Sequence, residues 1–250
     1  MKAFYSISIM AAAVALLAFS VPVHASKMDS RIESSAKQSY VFKTYLKSDD
    51  IKIQSSDGVV TLTGSVSEDS HRTLAQETVA GLPGVKTVNN LLEIQGEHPT
   101  ATSDAWLTSK VKTTLLFHRN VSTMTEVNTK EGIVTLHGDA ASQAEKNLTT
   151  EYVKDVEGVI DVNNEMIVTK TAKKTRTAGE KIDDASITAL VKMSLLYHRS
   201  TSALKTSVTT KKGIVTLSGK ASNTAELNLA TKYANDVNGV KEVKNRMSVE

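Results

Sequence analysis

The chain contains 250 residues, of which 40% are hydrophobic, 23% charged and 4% aromatic. This composition is that of a folded globular protein, and it excludes a disordered or collagen-like chain. The absence of cysteine excludes disulfides, thiolate metal sites and cysteine nucleophiles, and a net charge of +3 does not by itself indicate a nucleic-acid partner.

Residues 1–25 are predicted to be a signal peptide that is cleaved after Ala25. Lys2 precedes the apolar stretch 7–21, and small residues lie at the positions that a signal peptidase reads. The stretch is shorter than the roughly 20 apolar residues of a membrane-spanning helix, although an uncleaved anchor is the alternative. The mature protein is therefore expected to be exported and soluble, with a periplasmic localisation.

Two short motifs occur three times in the same order, which indicates internal repetition. The first has the form Gly-(Val/Ile)-Val-Thr-Leu-x-Gly and starts at Gly58, Gly132 and Gly213. The second has the form Gly-Val-x-x-Val-x-Asn and starts 26 residues later in each case, at Gly84, Gly158 and Gly239. Identical internal spacing in triplicate predicts three copies of one structural unit.

Within each copy the hydrophobic period changes in a fixed order. In the second copy Leu107, Val111 and Leu115 form a helical stripe, and the first motif follows as the second strand of a β-hairpin. A second helix and a third strand complete an α-β-β-α-β unit of about 70 residues, near the lower size limit of an independent domain. An aspartate precedes each first helix and is expected to cap its free N–H groups. These aspartates are Asp29, Asp104 and Asp184.

The predicted domain organisation follows from these repeats. Unit 1 comprises residues 26–96, unit 2 residues 104–170 and unit 3 residues 182–250. Residues 97–103 form a Pro-containing linker, and residues 171–181 form a longer basic linker. The sequence leaves open whether the three units dock against one another.

The two motifs, their spacing and the Asp-led helix ahead of them resemble the BON domain family. The resemblance covers almost all of residues 27–250. It implies an α+β fold in which each unit is a three-stranded mixed sheet with two helices on one face. It also implies an envelope protein without a catalytic site, since the family includes an osmotically induced periplasmic protein and an outer-membrane lipoprotein that binds anionic phospholipid.

No motif of a hydrolase, kinase, dinucleotide-binding protein or zinc protease is present, so the protein is predicted not to be an enzyme and to need no cofactor or metal. Only two histidines, His118 and His198, lie at equivalent positions of two copies. The favoured interpretation is that each interacts with the negative end of a helix dipole.

A second stripe on the first helix of units 2 and 3 carries apolar groups about 120° from the core face. The favoured interpretation is packing against another unit, and the alternative is an exposed patch for lipid or a client protein. The stripe residues considered are Trp106, Lys110, Phe117, Leu190, Met193 and Tyr197.

Positive charge is concentrated in the third copy. Residues 171–250 contain 14 basic and 7 acidic side chains, whereas residues 97–170 contain 7 and 11. Each basic residue near an anionic leaflet contributes about 1 kcal/mol, so such a cluster could hold a protein at a membrane. The candidate basic contacts are Arg119, Lys192, Arg199, Lys211 and Lys212.

The resulting hypothesis is peripheral binding of an anionic phospholipid surface through the first helix of unit 3, connected with osmotic or envelope stress. The alternative is a chaperone-like or scaffolding contact with other envelope proteins through the apolar stripes. Nucleic acid is not expected as a partner, and the sequence leaves the oligomeric state open.

Overall fold

A computed structural model describes residues 27–95, 103–121, 125–169, 181–201 and 206–249. The predicted signal peptide and nearly all of both predicted linkers lie outside these residues. Among the described residues, no helix combines the length and apolar character needed to cross a membrane.

Unit 1 is a three-stranded mixed sheet covered by helices. The middle strand β2 pairs antiparallel with β1 and parallel with β3. Its first helix is broken at Ser39, which caps the short helix that follows by accepting a hydrogen bond from the Phe42 amide. The elements are α1 (Lys27–Gln38), α2 (Tyr40–Thr44), β1 (Asp50–Ser56), β2 (Val59–Val66), α3 (Asp69–Ala80) and β3 (Thr87–Ile94).

Units 2 and 3 repeat this order with a continuous first helix and an interrupted third strand. In unit 2 the elements are α4 (Asp104–Phe117), β4 (Glu126–Lys130), β5 (Ile133–His137), β6 (Asp139–Ala140), α5 (Gln143–Lys154), β7 (Asp161–Asn164) and β8 (Ile167–Val168). In unit 3 they are α6 (Asp184–Tyr197), β9 (Thr206–Lys211), β10 (Ile214–Ala221), α7 (Thr224–Asp236), β11 (Glu242–Asn245) and β12 (Ser248–Val249). The described residues form seven helices and small mixed sheets in three repeated units, which confirms the predicted α+β class.

The Val and Leu of the Val-Thr-Leu motif belong to the core of each unit. Successive side chains of a strand point to opposite faces, so these two point towards the helices and the threonine points away. In unit 3, Val215 and Leu217 are fully buried beneath the helices, whereas Thr216 lies on the outer face. Leu195 of α6 and Ala234 of α7 join the same core. One sheet face therefore holds each unit together, and the other face remains open.

The recurring aspartate of each copy ties its first helix to the hairpin rather than capping the helix. In unit 3, Asp184 accepts hydrogen bonds from the backbone N–H groups of Lys212 and Gly213, at 2.7 and 2.8 Å. Both turn residues have positive φ, 55° and 79°, as a two-residue hairpin requires. The cap of α6 is instead Asp183, so the capping role predicted for Asp184 is wrong. The same turn contacts are made by Asp29 and Asp104.

The three units dock directly onto one another, and α6 lies at the centre of the contact. Ten of its 14 residues are buried, which a helix packed on a single sheet face does not reach. From unit 1, the Tyr40 amide donates to Asp183 at 2.8 Å and the Val41 amide donates to Ser186 at 3.1 Å. Tyr45 of unit 1 meets Phe117 of unit 2 edge-to-face with ring centroids 5.7 Å apart.

Candidate functional site

The second helical stripe is covered by neighbouring units. Phe117, Leu190 and Met193 are fully buried, so they cannot enter a lipid surface in this arrangement. The exposed-patch alternative does not hold for these three residues in the docked protein, because neighbouring units cover the face that it required. The same burial removes these three residues from a chaperone-like surface.

Lys110 is the charged member of this stripe, and it is also buried. Its ammonium group lies 4.8 Å from the centre of the Trp106 ring and 5.5 Å from that of Tyr197, both half-buried side chains. It pairs with Glu157 at 3.2 Å. Burial lowers the pKa of Lys110, although Glu157 opposes this shift. Lys110 therefore joins units 2 and 3 and is not available to a phosphate.

The other basic residues near these helices hold the units together. Lys192 of unit 3 forms an ion pair with Glu77 of unit 1 at 2.6 Å. The guanidinium of Arg199 donates to the carbonyl oxygens of Val156 and Val159 in unit 2, at 3.1 and 2.7 Å. These contacts use donors of Lys192 and Arg199 between units, and the phosphate contacts predicted for these two residues stay predictions.

Arg119 makes the reciprocal contact from unit 2 to unit 3. Its guanidinium donates to the carbonyl oxygens of Val237 and Val240, at 3.3 and 2.9 Å. Backbone contacts repeat the same symmetry, since Arg119 donates its amide to Asp236 and Arg199 donates its amide to Asp155, each at 2.8 Å. Units 2 and 3 are therefore related by an approximate two-fold axis, and the lipid or partner contact predicted for Arg119 stays a prediction.

His118 and His198 lie on this axis. Both side chains are buried, and their Nε2 atoms are 3.3 Å apart. His118 stacks on Tyr152 with ring centroids 4.0 Å apart, and His198 stacks on Tyr233 at 3.9 Å. The interpretation as histidines at a helix end is incomplete, because each imidazole stacks on a tyrosine of its own unit and contacts the other histidine across the interface.

Each tyrosine of this cluster donates its hydroxyl across the interface. Tyr152 donates to Asp236, and Tyr233 donates to Asp155 at 2.6 Å. Burial and the neighbouring carboxylates raise the pKa of both phenols, which keeps them protonated as donors. Burial opposes the charge of Asp155, yet hydrogen bonds from His198, Ser200 and Tyr233 hold the pKa of its carboxyl below the ordinary value.

A sequence signal for this interface exists. Units 2 and 3 share Leu-Leu-(Phe/Tyr)-His-Arg at the end of the first helix and Tyr-x-x-Asp at the end of the second. Unit 1 has neither, and Thr78 and Gly81 occupy its positions for the tyrosine and aspartate. Both motifs occur in the same two units, which indicates that units 2 and 3 contact each other. The two histidines alone do not carry this signal.

Lys211 and Lys212 remain exposed, and the structure places them in a larger basic surface. They line, with Lys244 and Arg246, a shallow depression of about 540 Å³ on the outer face of the unit 3 sheet. Lys241 lies beside the hairpin turn, against Gly213. We call these five residues the basic face. Glu242 is an acidic neighbour within it, 4.0 Å from Lys244.

The equivalent surface of unit 2 has a different charge. The basic face carries five cations, whereas the equivalent positions of unit 2 carry one cation and two anions. These positions are Lys130, Glu131, Ile160, Asn163 and Glu165. Since both sheets have the same register, the charge difference belongs to the side chains and not to the fold.

The described residues form no cluster of side chains typical of a metal site. No group of three or more His, Asp or Glu side chains is placed to hold a metal ion among them. The recurring asparagines are structural: Asn164 donates to the Lys146 carbonyl oxygen and to Thr150, and accepts from the Met166 amide.

Comparison with known proteins shows similarity to one family. A model of the BON domain matches residues 28–96, 103–170 and 183–250. A curated relative, osmotically-inducible protein Y of Escherichia coli (strain K12), is 35% identical over 148 residues, which cover 59% of this chain and 73% of that protein.

Two solved structures of CdsD, a structural protein of the type III secretion system of Chlamydia trachomatis, also match. One covers 88% of this chain and 90% of its own, with 15% identity and a TM-score of 0.24. The other, of the C-terminal domain, covers 89% and 96%, with 15% identity and a TM-score of 0.23. TM-scores this low carry no conclusion about the arrangement of the three units.

Proposed function

The chain belongs to the BON domain family, and we propose that it is an exported, non-enzymatic envelope protein whose third unit binds anionic phospholipid through the basic face. The name of the curated relative supports a role in osmotic stress. The predicted signal peptide supports a periplasmic location. The basic face itself is the observation that carries the binding proposal.

The basic face is suited to a membrane surface because its charges are exposed on one side of a sheet. All five side chains are exposed. Each cation near an anionic leaflet contributes about 1 kcal/mol, so five contribute at most about 5 kcal/mol. With few apolar groups to insert, binding is electrostatic and peripheral, and salt weakens it.

Unit 2 supplies the design of the decisive variant. The substitutions Lys212→Glu and Arg246→Glu give unit 3 the residues that unit 2 carries at the same positions, Glu131 and Glu165. Glu131 already occupies a positive-φ turn position, with φ 53° against 55° for Lys212, so the variant is compatible with the hairpin.

The measurement is flotation of the mature protein with vesicles of phosphatidylglycerol and phosphatidylcholine, at increasing salt. Loss of two cations alone lowers binding by about 2 kcal/mol, roughly 30-fold. The reverse variant, Glu131→Lys with Glu165→Arg, is expected to strengthen binding because it builds a second basic surface. Equal binding of the wild type to pure phosphatidylcholine, or unchanged binding of the double Glu variant, would refute the proposal.

A further inference from the structure

The histidine pair between units 2 and 3 has an unusual chemical requirement. A hydrogen bond between the Nε2 atoms of His118 and His198, 3.3 Å apart, needs one N–H donor and one free lone pair. At least one imidazole is therefore neutral in the docked state. If both were protonated, two positively charged donors would face each other in a site from which water is excluded.

We propose that the interface between units 2 and 3 is a pH-sensitive contact, which is closed while the His118–His198 pair shares its hydrogen bond and opens when both imidazoles are protonated. The proposal does not depend on lipid binding by the basic face. It follows from the position of the pair at the two-fold axis, where protonation of the pair acts on both halves of the interface.

The groups around the pair come from all the elements packed against it. Asp155 lies against the pair, with its carboxylate 3.3 Å from Nδ1 of His198, and this contact favours protonation. Lys110 and Lys232 oppose protonation. Other titratable or charged groups that pack around the pair or its stacked tyrosines are Arg119, Tyr152, Glu151, Glu157, Arg199, Tyr233 and Asp236.

The balance of these groups determines the direction of the pH effect. Burial lowers the pKa of His198 from 6.5, although Asp155 partly offsets this shift. The open state, in which the imidazole meets water, therefore takes up a proton at a higher pH than the closed state does. Stability of the closed interface is complete above about pH 6.5 and is lost as the pH falls below this value.

The size of the effect follows from proton linkage. At pH 5.5 an imidazole with an ordinary pKa of about 6.5 is about 90% protonated in the open state. If His198 stays neutral in the closed state, the opening equilibrium constant rises about tenfold between pH 7.5 and pH 5.5. A second imidazole that stays neutral in the closed state raises the opening equilibrium constant by a further factor of the same size.

Four backbone hydrogen bonds that cross the interface provide a direct measure of opening. The amides of Arg119 and Arg199 donate to the backbone carbonyl oxygens of Asp236 and Asp155. The amides of Glu157 and Asn238 donate to the backbone carbonyl oxygens of Tyr197 and Phe117. Hydrogen exchange of the four amides, corrected for the intrinsic effect of pH, reports the opening equilibrium. The internal reference is the contact between units 1 and 3, where the Tyr40 and Val41 amides donate to Asp183 and Ser186.

The experiment compares the mature protein with the variant His118→Gln/His198→Gln. Glutamine keeps a hydrogen-bonding amide in place of Nε2 but does not titrate. In the wild type, protection of the four amides is expected to fall at least tenfold more than that of Tyr40 and Val41 between pH 7.5 and 5.5. In the variant all six amides are expected to change together.

A second measurement keeps the proposal falsifiable if the double variant does not fold. NMR titration of the wild-type imidazoles is expected to show that His198 stays neutral below pH 6.5 and that its protonation coincides with loss of protection at the four amides. Constant protection down to pH 5 with both imidazoles charged would overturn the proposal. An equal pH effect in wild type and variant would overturn it as well.

Discussion

Leu190 provides the sharpest test of whether α6 lies between units. Its side chain is fully buried, on the face of the helix that points away from the unit 3 sheet. The substitution Leu190→Ala removes buried methyl groups and leaves a cavity, which destabilises proteins by 2–5 kcal/mol, about 3 kcal/mol in a typical case. For a chain of this size, such a loss lowers the unfolding temperature by about 6–12 °C.

The matched control is Leu196→Ala on the same helix, where the side chain is 41% exposed. Truncation of this exposed leucine is expected to change stability by about 0.5 kcal/mol or less. Thermal unfolding of both variants, followed by circular dichroism, gives the comparison. Equal unfolding temperatures would refute the packing of α6 between units and restore the exposed stripe. Vesicle binding of the folded Leu190→Ala protein is expected to equal that of the wild type.

Three further variants test the structural contacts. Arg199→Lys is expected to destabilise the protein by about 1–3 kcal/mol in urea unfolding, because a lysine cannot reproduce the guanidinium contacts to several carbonyl oxygens. The control Arg246→Lys, at an exposed position of the basic face, is expected to have no effect on stability. Asn164→Ala is expected to cost about 1–2 kcal/mol through its lost hydrogen bonds, against almost nothing for its exposed neighbour Asn163→Ala. Hydrogen bonds from the turn amides lower the pKa of Asp104, so its contribution to stability is present above its ordinary pKa of 3.8 and is lost as the pH falls further. The variant Asp104→Ala is expected to lose this acid-dependent part of the stability. An unchanged dependence of stability on pH would contradict the turn contact.

The proposed membrane surface differs from the one that the sequence favoured. Residue type and charge indicated unit 3 correctly as the basic unit, but the first helix of that unit is an internal element of the folded chain. The exposed cations lie on the sheet instead, where Lys211 and Lys212 are joined by residues of β11 and the segment after it. The prediction of anionic lipid as partner is kept, with a different surface.

Local patterns in the sequence determined the three repeated units, their α+β class and the core positions of the Val-Thr-Leu strands. This was possible because hydrophobic period, turn residues and repeat spacing act over a few neighbouring residues, as the buried pair Val215 and Leu217 illustrates. Only the tertiary structure decided what covers the second face of each helix. Burial of Met193 and pairing of His118 with His198 depend on residues far apart in sequence. The sequence pattern of an apolar helix face is the same whether lipid or another unit covers that face.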